Sequence, residues 1–555
     1  MINKLSKSFL SLVLLSQIYT TVSQSLISTG ELIYTYSHTS PSSLQSYQQT
    51  HTADPSVGGS VYDTVFNSNI TKIADVRQMP ASEIVQSGSY VRPISSRFTH
   101  WNSDGSRYML LKDSTFMDSG NGNTVIMNGM NHTLSMTRGT PLGFIPLHSS
   151  AINEWRFDKN VEYNTIMYFI SDCKLYSYDI DDDYEPVIIH DFTHDYSDCY
   201  SISSGSLGDS SSDSRYWAFM VQTASSSNAS PQLSHIITYD KTTDKIIGQL
   251  NETSASLLPQ PAYVDISPLG THILIQWSST GTNDIYDGPH VYDIGFNPAT
   301  AIRVGDDSSS TNNFAYNNAG RQVVVAHITS NKWSNTPVNT IVSTDIQNGI
   351  TTTVLYDKDI NGFTAAACQW NIGRTYDSKY YGWVHLSSVC IYNPNTINPL
   401  QNQLLLLELP ASSTTTTSSQ QSTRIYIIGY THNNYNTNIN SQNLLYSTIS
   451  QDMRNIIFGS QWITSKNQWQ NTYQINLDST WLTDLSQRNM PPALGTSAYE
   501  PQQSVPYNNT AVALSTPSIG TDGTGTDKTP LQSTANTYVL STSGILISAL
   551  LILLS

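Results

Sequence analysis

Charge is scarce in this chain of 555 residues. Only 12% of them are Asp, Glu, Lys or Arg, and the 42 acids exceed the 26 Lys and Arg, for a formal net charge of −16. A surface of that sign repels phosphate backbones and argues against a nucleic-acid partner. Long apolar runs are missing too. No stretch reaches the roughly 20 helical residues needed to cross a hydrocarbon layer of about 30 Å. No long amphipathic helix is readable, so an all-helical fold is excluded. The chain has no G-x-S-x-G elbow, no G-x-G-x-x-G loop and no Walker A sequence, so the usual nucleophile and phosphate-cradling devices are absent.

Cysteine is rare as well: Cys173, Cys199, Cys368 and Cys390. No C-x-x-C spacing occurs, which argues against a thiolate metal site. An even count in an oxidising compartment points to disulfides, with three possible connectivities. The local pairs Cys173–Cys199 and Cys368–Cys390 are expected.

Both ends address the chain to that compartment. Lys4 and Lys7 precede an apolar stretch from Phe9 to Ile18, and Thr21-Val22-Ser23 offers small residues for cleavage. Residues 1–23 therefore read as a signal peptide. At the other end stands the small trio Ser533-Thr534-Ala535. A polar spacer of residues 536–543 follows, then an apolar tail of residues 544–554. Small trio, polar spacer and short apolar tail form a glycosylphosphatidylinositol attachment signal, with the lipid expected on Ser533. The mature protein is expected on the outer face of the plasma membrane. Five N-x-[ST] sequons, at Asn69, Asn131, Asn228, Asn251 and Asn508, suit a secreted glycoprotein.

What the chain does have is repetition. A polar turn leading into an apolar strand recurs as "NSDGSRYMLL" (102–111), "SSDSRYWAFMV" (212–221 with Ser211), "SPLGTHILIQW" (267–277), "NNAGRQVVVAHI" (317–328) and "SQDMRNIIFGSQW" (450–462). A strand, an Asp-containing turn and a second strand recur around Asp179, Asp240, Asp293 and Asp345, as in "HIITYDKTTDKIIGQL" (235–250). Copies lie about 50 residues apart, room for four short strands each, as in a propeller blade. "THILIQW" alternates with period two, the mark of a strand. The expected fold is all-β: a β-propeller of seven blades, each of four antiparallel strands. Blades are placed from near Tyr90, Asn153, Ser212, Val264, Asn313, Phe363 and Leu444. A blade has two apolar faces and cannot bury both alone, whereas a closed ring buries all of them.

The organisation follows. After the signal peptide, residues 24–88 form an N-terminal extension that extends or closes the ring. Residues 89–485 form the propeller, interrupted by the low-complexity "ASSTTTTSSQQST" (411–423). Residues 486–532, rich in Ser, Thr, Pro and Gly, form a stalk. Residues 533–555 carry the attachment signal and tail.

The pieces "SPLGTHILIQW" and "HVYDI" (290–294) resemble WD-repeat-like propellers of the TolB type, in which a Gly-ended turn enters one strand and a later strand ends in Asp. That wider group includes oligogalacturonate lyases, seven-bladed enzymes with a manganese site of histidines and a glutamine at the axis. His432, in "GYTHNNY" (429–435), stands where such a ligand could be. The comparable loop "GDDSSSTNN" (305–313) holds no histidine.

Three stretches could carry chemistry. "HDFTH" (190–194) has two histidines four apart, but it ends a strand, where a rise of about 3.3 Å per residue separates the rings; a polar loop is the expectation. "DIDDDYE" (179–185) offers alternate oxygens without the Gly and Glu of a calcium loop; a hairpin turn is expected. His432, Asn433, Asn434 and Tyr435 combine an imidazole, two amides and an aromatic face, and are the expected ligand contacts. The reading is a non-catalytic, monomeric surface module without a cofactor that binds an extracellular glycan or protein. The alternative is a metal-assisted polysaccharide lyase or hydrolase.

Overall fold

The fold was taken from a computed structural model, which describes residues 33–36 and most of residues 53–477. Among the described residues there are seven antiparallel sheets and no α-helix. Together they make a seven-bladed β-propeller. Blade one has Tyr90–Arg92 innermost, then Arg107–Asp113 and Asn123–Asn128, three described strands. Blades two to five have four strands each, their innermost being Arg156–Phe157, Cys199–Ser203, Tyr263–Ile266 and Asn312–Tyr316. Blade six runs from Cys368–Ile372 outward through Trp383–Cys390 and Gln403–Glu408 to Thr423–Tyr430, with Ile33–Tyr36 as a fifth strand. Blade seven runs from Ser447–Ile449 through Asn455–Ser460 to Asn471–Asn476.

The ring is closed by the N-terminal region. Ser68–Ala74 pairs antiparallel with Asn471–Asn476, and Ser60–Asp63 adds a fifth strand outside it. Residues 24–88 thus supply part of the last blade. The sequence placed the start of blade three at Ser212; its innermost strand begins at Cys199 instead. Ser212 lies in the turn after that strand, because this blade's recurring turn is read one strand late.

The physical reason for a ring is visible in the packing. Seven apolar clusters occupy the seven gaps between neighbouring blades. Met109 of blade one meets Trp155 and Met167 of blade two. Tyr168 and Phe192 of blade two meet Trp217 and Phe219 of blade three. Similar sets fill the next four gaps. In the last gap, Ile457 and Ile73 of blade seven pack on Val91 and Leu110 of blade one. A middle strand is therefore buried on both faces, and Gln322–Ile328 is buried throughout. Period two shows plainly on an outer strand: Lys245–Asn251 alternates exposed and half-buried residues.

Both recurring sequence pieces are explained by turns. Asn102, Ser211, Ser267, Asn317 and Ser450 each accept, through their carbonyls, the N–H of the third residue on. Those third residues, Gly105, Ser214, Gly270, Gly320 and Met453, all have positive φ, which favours glycine. The repeated Asp ends the third strand of its blade and caps the next turn. Asp240 Oδ1 accepts the Thr242 N–H at 3.0 Å, and Asp345 Oδ1 the Gln347 N–H at 2.9 Å. Arg215 and Arg321 pair with the same two carboxylates. These Asp residues are structural.

The Cys173–Cys199 disulfide joins blade two to the start of blade three. Cys368 and Cys390 stand opposite each other in the register of blade six.

Candidate functional site

His100, Arg156, Asp209, Asp265 and Thr448, of blades one, two, three, four and seven, lie in or after the innermost strands and are all buried. These positions are scattered through the sequence and become neighbours only when the ring closes.

The axis is filled from one blade. In blade one Arg92 pairs with Leu111, and His100 accepts the N–H of Met109. One residue separates Leu111 from Met109, but residues 93–99 separate Arg92 from His100. This extra chain leaves the strand and turns into the channel, where all seven residues are buried. Arg97 crosses the axis, donating to the Asn312 carbonyl and, at 3.2 Å, to Asn312 Oδ1, and lies 3.4 Å from Asp265 Oδ2. Its guanidinium lies 3.8 Å from the centre of the Tyr263 ring. Thr448 of blade seven donates to the Phe98 carbonyl at 2.8 Å, and the Thr99 N–H donates to Tyr376 Oη at 2.6 Å. Arg156 stacks 3.5 Å from the Phe98 ring centre. His100 Nε2 accepts the Ile94 N–H at 2.7 Å and so closes the excursion on itself.

A buried ion network surrounds this plug. Arg374, following the innermost strand of blade six, donates to Asp265 Oδ1 at 2.6 Å and to the Ser210 carbonyl at 3.1 Å. Lys159 donates to Asp209 Oδ1 at 2.7 Å, and Tyr376 donates to Asp209 Oδ2 at 2.6 Å. Burial alone would raise the Asp209 carboxyl, but Lys159, Arg374 and Arg156 outweigh it and hold it below the ordinary range. Burial pushes the Tyr376 phenol up, and Asp209 adds to this. Burial with the nearby Arg156 charge lowers the His100 imidazole to about 3, so it is neutral near pH 7. Buried charges need partners of this kind. The geometry locks seven blades together; it leaves residues 93–99 where an open channel would lie.

The face on which the innermost strands begin is different. His432 follows the outer strand of blade six and reaches this face. It is buried, at φ +53°, with its ring stacked 4.0 Å from that of Trp462. Trp462, also at positive φ, stacks in turn on Tyr473 at 4.7 Å. Asn433, Asn434 and Tyr435 lie outside the described residues. On the other side of blade seven, at the same face, Arg92 lies between two rings. Its guanidinium carbon is 4.4 Å from the Tyr90 ring centre and 4.6 Å from that of Tyr446. Arg92 itself is only 5% exposed, while both tyrosines are half-buried. Among the described residues, Arg92 Nε and Nη1 have no hydrogen-bond partner. The sequence reading missed Arg92, Arg97 and Arg374; the only local signal was an arginine beside a poorly alternating stretch.

The other candidates are accounted for. His190 ends the outer strand of blade two, and its two ring nitrogens lie 2.6 Å from Asp244 Oδ1 and 2.7 Å from Asp195 Oδ2. It ties blade two to blade three. His194 lies in a single 3₁₀ turn after it. Asp179 closes a turn by accepting the Asp181 N–H at 3.0 Å. Among the described residues, no group of three or more His, Cys, Asp and Glu side chains is placed to hold a metal ion. Asn69 is buried in the ring-closing strand, whereas Asn251 is exposed at the end of blade three's outer strand. Asn131, Asn228, Asn508, Ser533, the signal peptide, the stalk and the tail lie outside the described residues.

No protein-family model matches the chain, and no curated protein matches it. Solved structures do. An oligogalacturonate lyase from Vibrio parahaemolyticus is 9% identical, with a TM-score of 0.45, over 76% of this chain and 97% of that one. An oligogalacturonate lyase in complex with manganese is 11% identical, with a TM-score of 0.47, over 77% and 98%. The Dos1 propeller is 11% identical, with a TM-score of 0.29, over 70% and 94%. The likeness is one of fold. At such identities it says nothing about the chemistry at either face of this ring.

Proposed function

We propose that this chain is a lipid-anchored surface glycoprotein whose propeller binds an extracellular glycan or protein without transforming it. The leader, the sequons and the tail signal support the address. Support for a binding role comes chiefly from one contrast. The axis is a paired, buried, structural network, whereas the face where the innermost strands begin holds an arginine between two part-exposed tyrosines. Rigid sheets fix the ring, and its loops supply the contacts. Phosphatidylinositol-specific phospholipase C applied to intact expressing cells tests the address: the protein is released into the medium. Retention after a control anchored protein has been released would refute it. Incubation of the full chain with a panel of polysaccharides tests the role: material is bound and recovered with its chain length unchanged. Shortened or unsaturated products would establish an enzyme instead.

A further inference from the structure

Arg92 is an exception to the pattern of buried cations in this ring. Buried Arg374, Lys159 and Lys72 each face a carboxylate within 2.8 Å. Arg92 is buried too, yet no ion pair joins it to a described acid, and Nε and Nη1 have no described acceptor. Leaving a buried donor unfilled is costly, and more so for a charged group. Gly459 sits against Gln470 and the Arg92 stem, where an added Cβ would lie 2.7 Å from Gln470 Nε2 and 3.2 Å from Arg92 Cβ. The Arg92 head lies between the Tyr90 and Tyr446 rings.

A guanidinium with open N–H groups is matched to a planar or tetrahedral oxyanion. Tyr90 and Tyr446 stack on its faces, which leaves its edge for hydrogen bonding. Both rings are half-buried, and side chains in such a setting can rotate. The same rings offer flat apolar surface to a sugar. We infer that Arg92, held between Tyr90 and Tyr446, takes an oxyanion substituent, a carboxylate or a sulfate ester, on a glycan. This rests on the binding role proposed above and specifies its ligand. Nonspecific capture of a polyanion is disfavoured by the chain's net charge of −16, so retention of one reports a local site.

Dextran, carboxymethyl-dextran and dextran sulfate share one backbone and separate the neutral, carboxylated and sulfated cases. The full chain, purified in detergent, binds one or both of the charged polymers and not dextran, and the binding weakens with added salt. Arg92→Gln lowers that affinity by about ten- to a hundredfold, the size of a charge-assisted hydrogen bond. Arg92→Lys restores part of it, because the charge remains and the fork is lost. Tyr446→Ala, which leaves Arg92 in place, weakens binding as well and serves if Arg92→Gln does not fold. Equal binding of dextran and its charged forms, full affinity in a folded Arg92→Gln protein, or no binding of any of the three overturns the oxyanion assignment while leaving a binding module for other ligands. Cleavage of a charged polymer that still depends on Arg92 leaves the assignment standing and removes the non-catalytic reading.

Discussion

Arg374 and Asp265 meet at 2.6 Å across the ring axis, from blades six and four, with blade five between them in the chain. Both side chains are fully buried. Replacing Asp265 by Asn leaves the Arg374 guanidinium with a neutral partner in a buried site. Removing one member of such a pair costs about 3–5 kcal/mol. Urea denaturation followed by tryptophan fluorescence measures it. A loss under about 1 kcal/mol would mean that the cross-axis pair does not hold the ring.

Acid sensitivity has a defined direction and window. Burial, with the Arg156 charge, lowers His100 to about 3 in the fold, and burial lowers His385 to about 4. The unfolded value is about 6.5. A base depressed by folding binds fewer protons in the native state, so stability is complete above about pH 6.5 and falls as the pH drops towards 4 and 3. Each histidine contributes a slope of up to about 1.4 kcal/mol per pH unit. The Asp75 carboxyl, which Arg77 and Lys72 hold at about 2 against the effect of burial, adds its own loss only below about pH 4. Melting temperatures from pH 7.5 to 4.5 should therefore decline, and less steeply in a His100→Gln protein that still folds. Parallel curves would contradict this.

Gly320 isolates a backbone effect. It sits at φ +73°, and a Cβ there would meet no atom within 4 Å. Gly320→Ala therefore costs only the strain of the left-handed conformation, about 1 kcal/mol. The same substitution at Gly208 should cost more, because its Cβ would lie 1.9 Å from the Val264 carbonyl oxygen. Paired denaturation curves check the order; equal losses would show that the turn relaxes.

The closing strand should matter as much as any core strand. Ile70 is fully buried in the gap between blades six and seven. Ile70→Ala should cost about 2–5 kcal/mol. A chain lacking residues 24–75 should lose its single cooperative transition, since blade seven would then expose the edge of Asn471–Asn476. Retention of one sharp transition by the shortened chain would show that the ring closes without it.

The blade pattern was legible because its causes are local. The turn with positive φ and the strand-ending Asp recur from blade to blade, and each satisfies its own backbone within a few residues. What was missed depends on closure. Arg374, Asp265 and Asp209 are separated by long stretches of chain and by other blades, so no spacing could pair them. Residues 93–99 look like a loop because their polar atoms find partners on four other blades. His432 follows the outer strand of blade six, and its stacking on Trp462 of blade seven could not be foreseen from the sequence of either blade alone.

Ser68–Ala74 is made early in synthesis and finds its partner, Asn471–Asn476, only after nearly four hundred further residues have been added. Until then each of the two strands lacks its partner, and an unpaired edge of that kind is a template for the wrong neighbour. Closing the wheel therefore removes two such edges in one step.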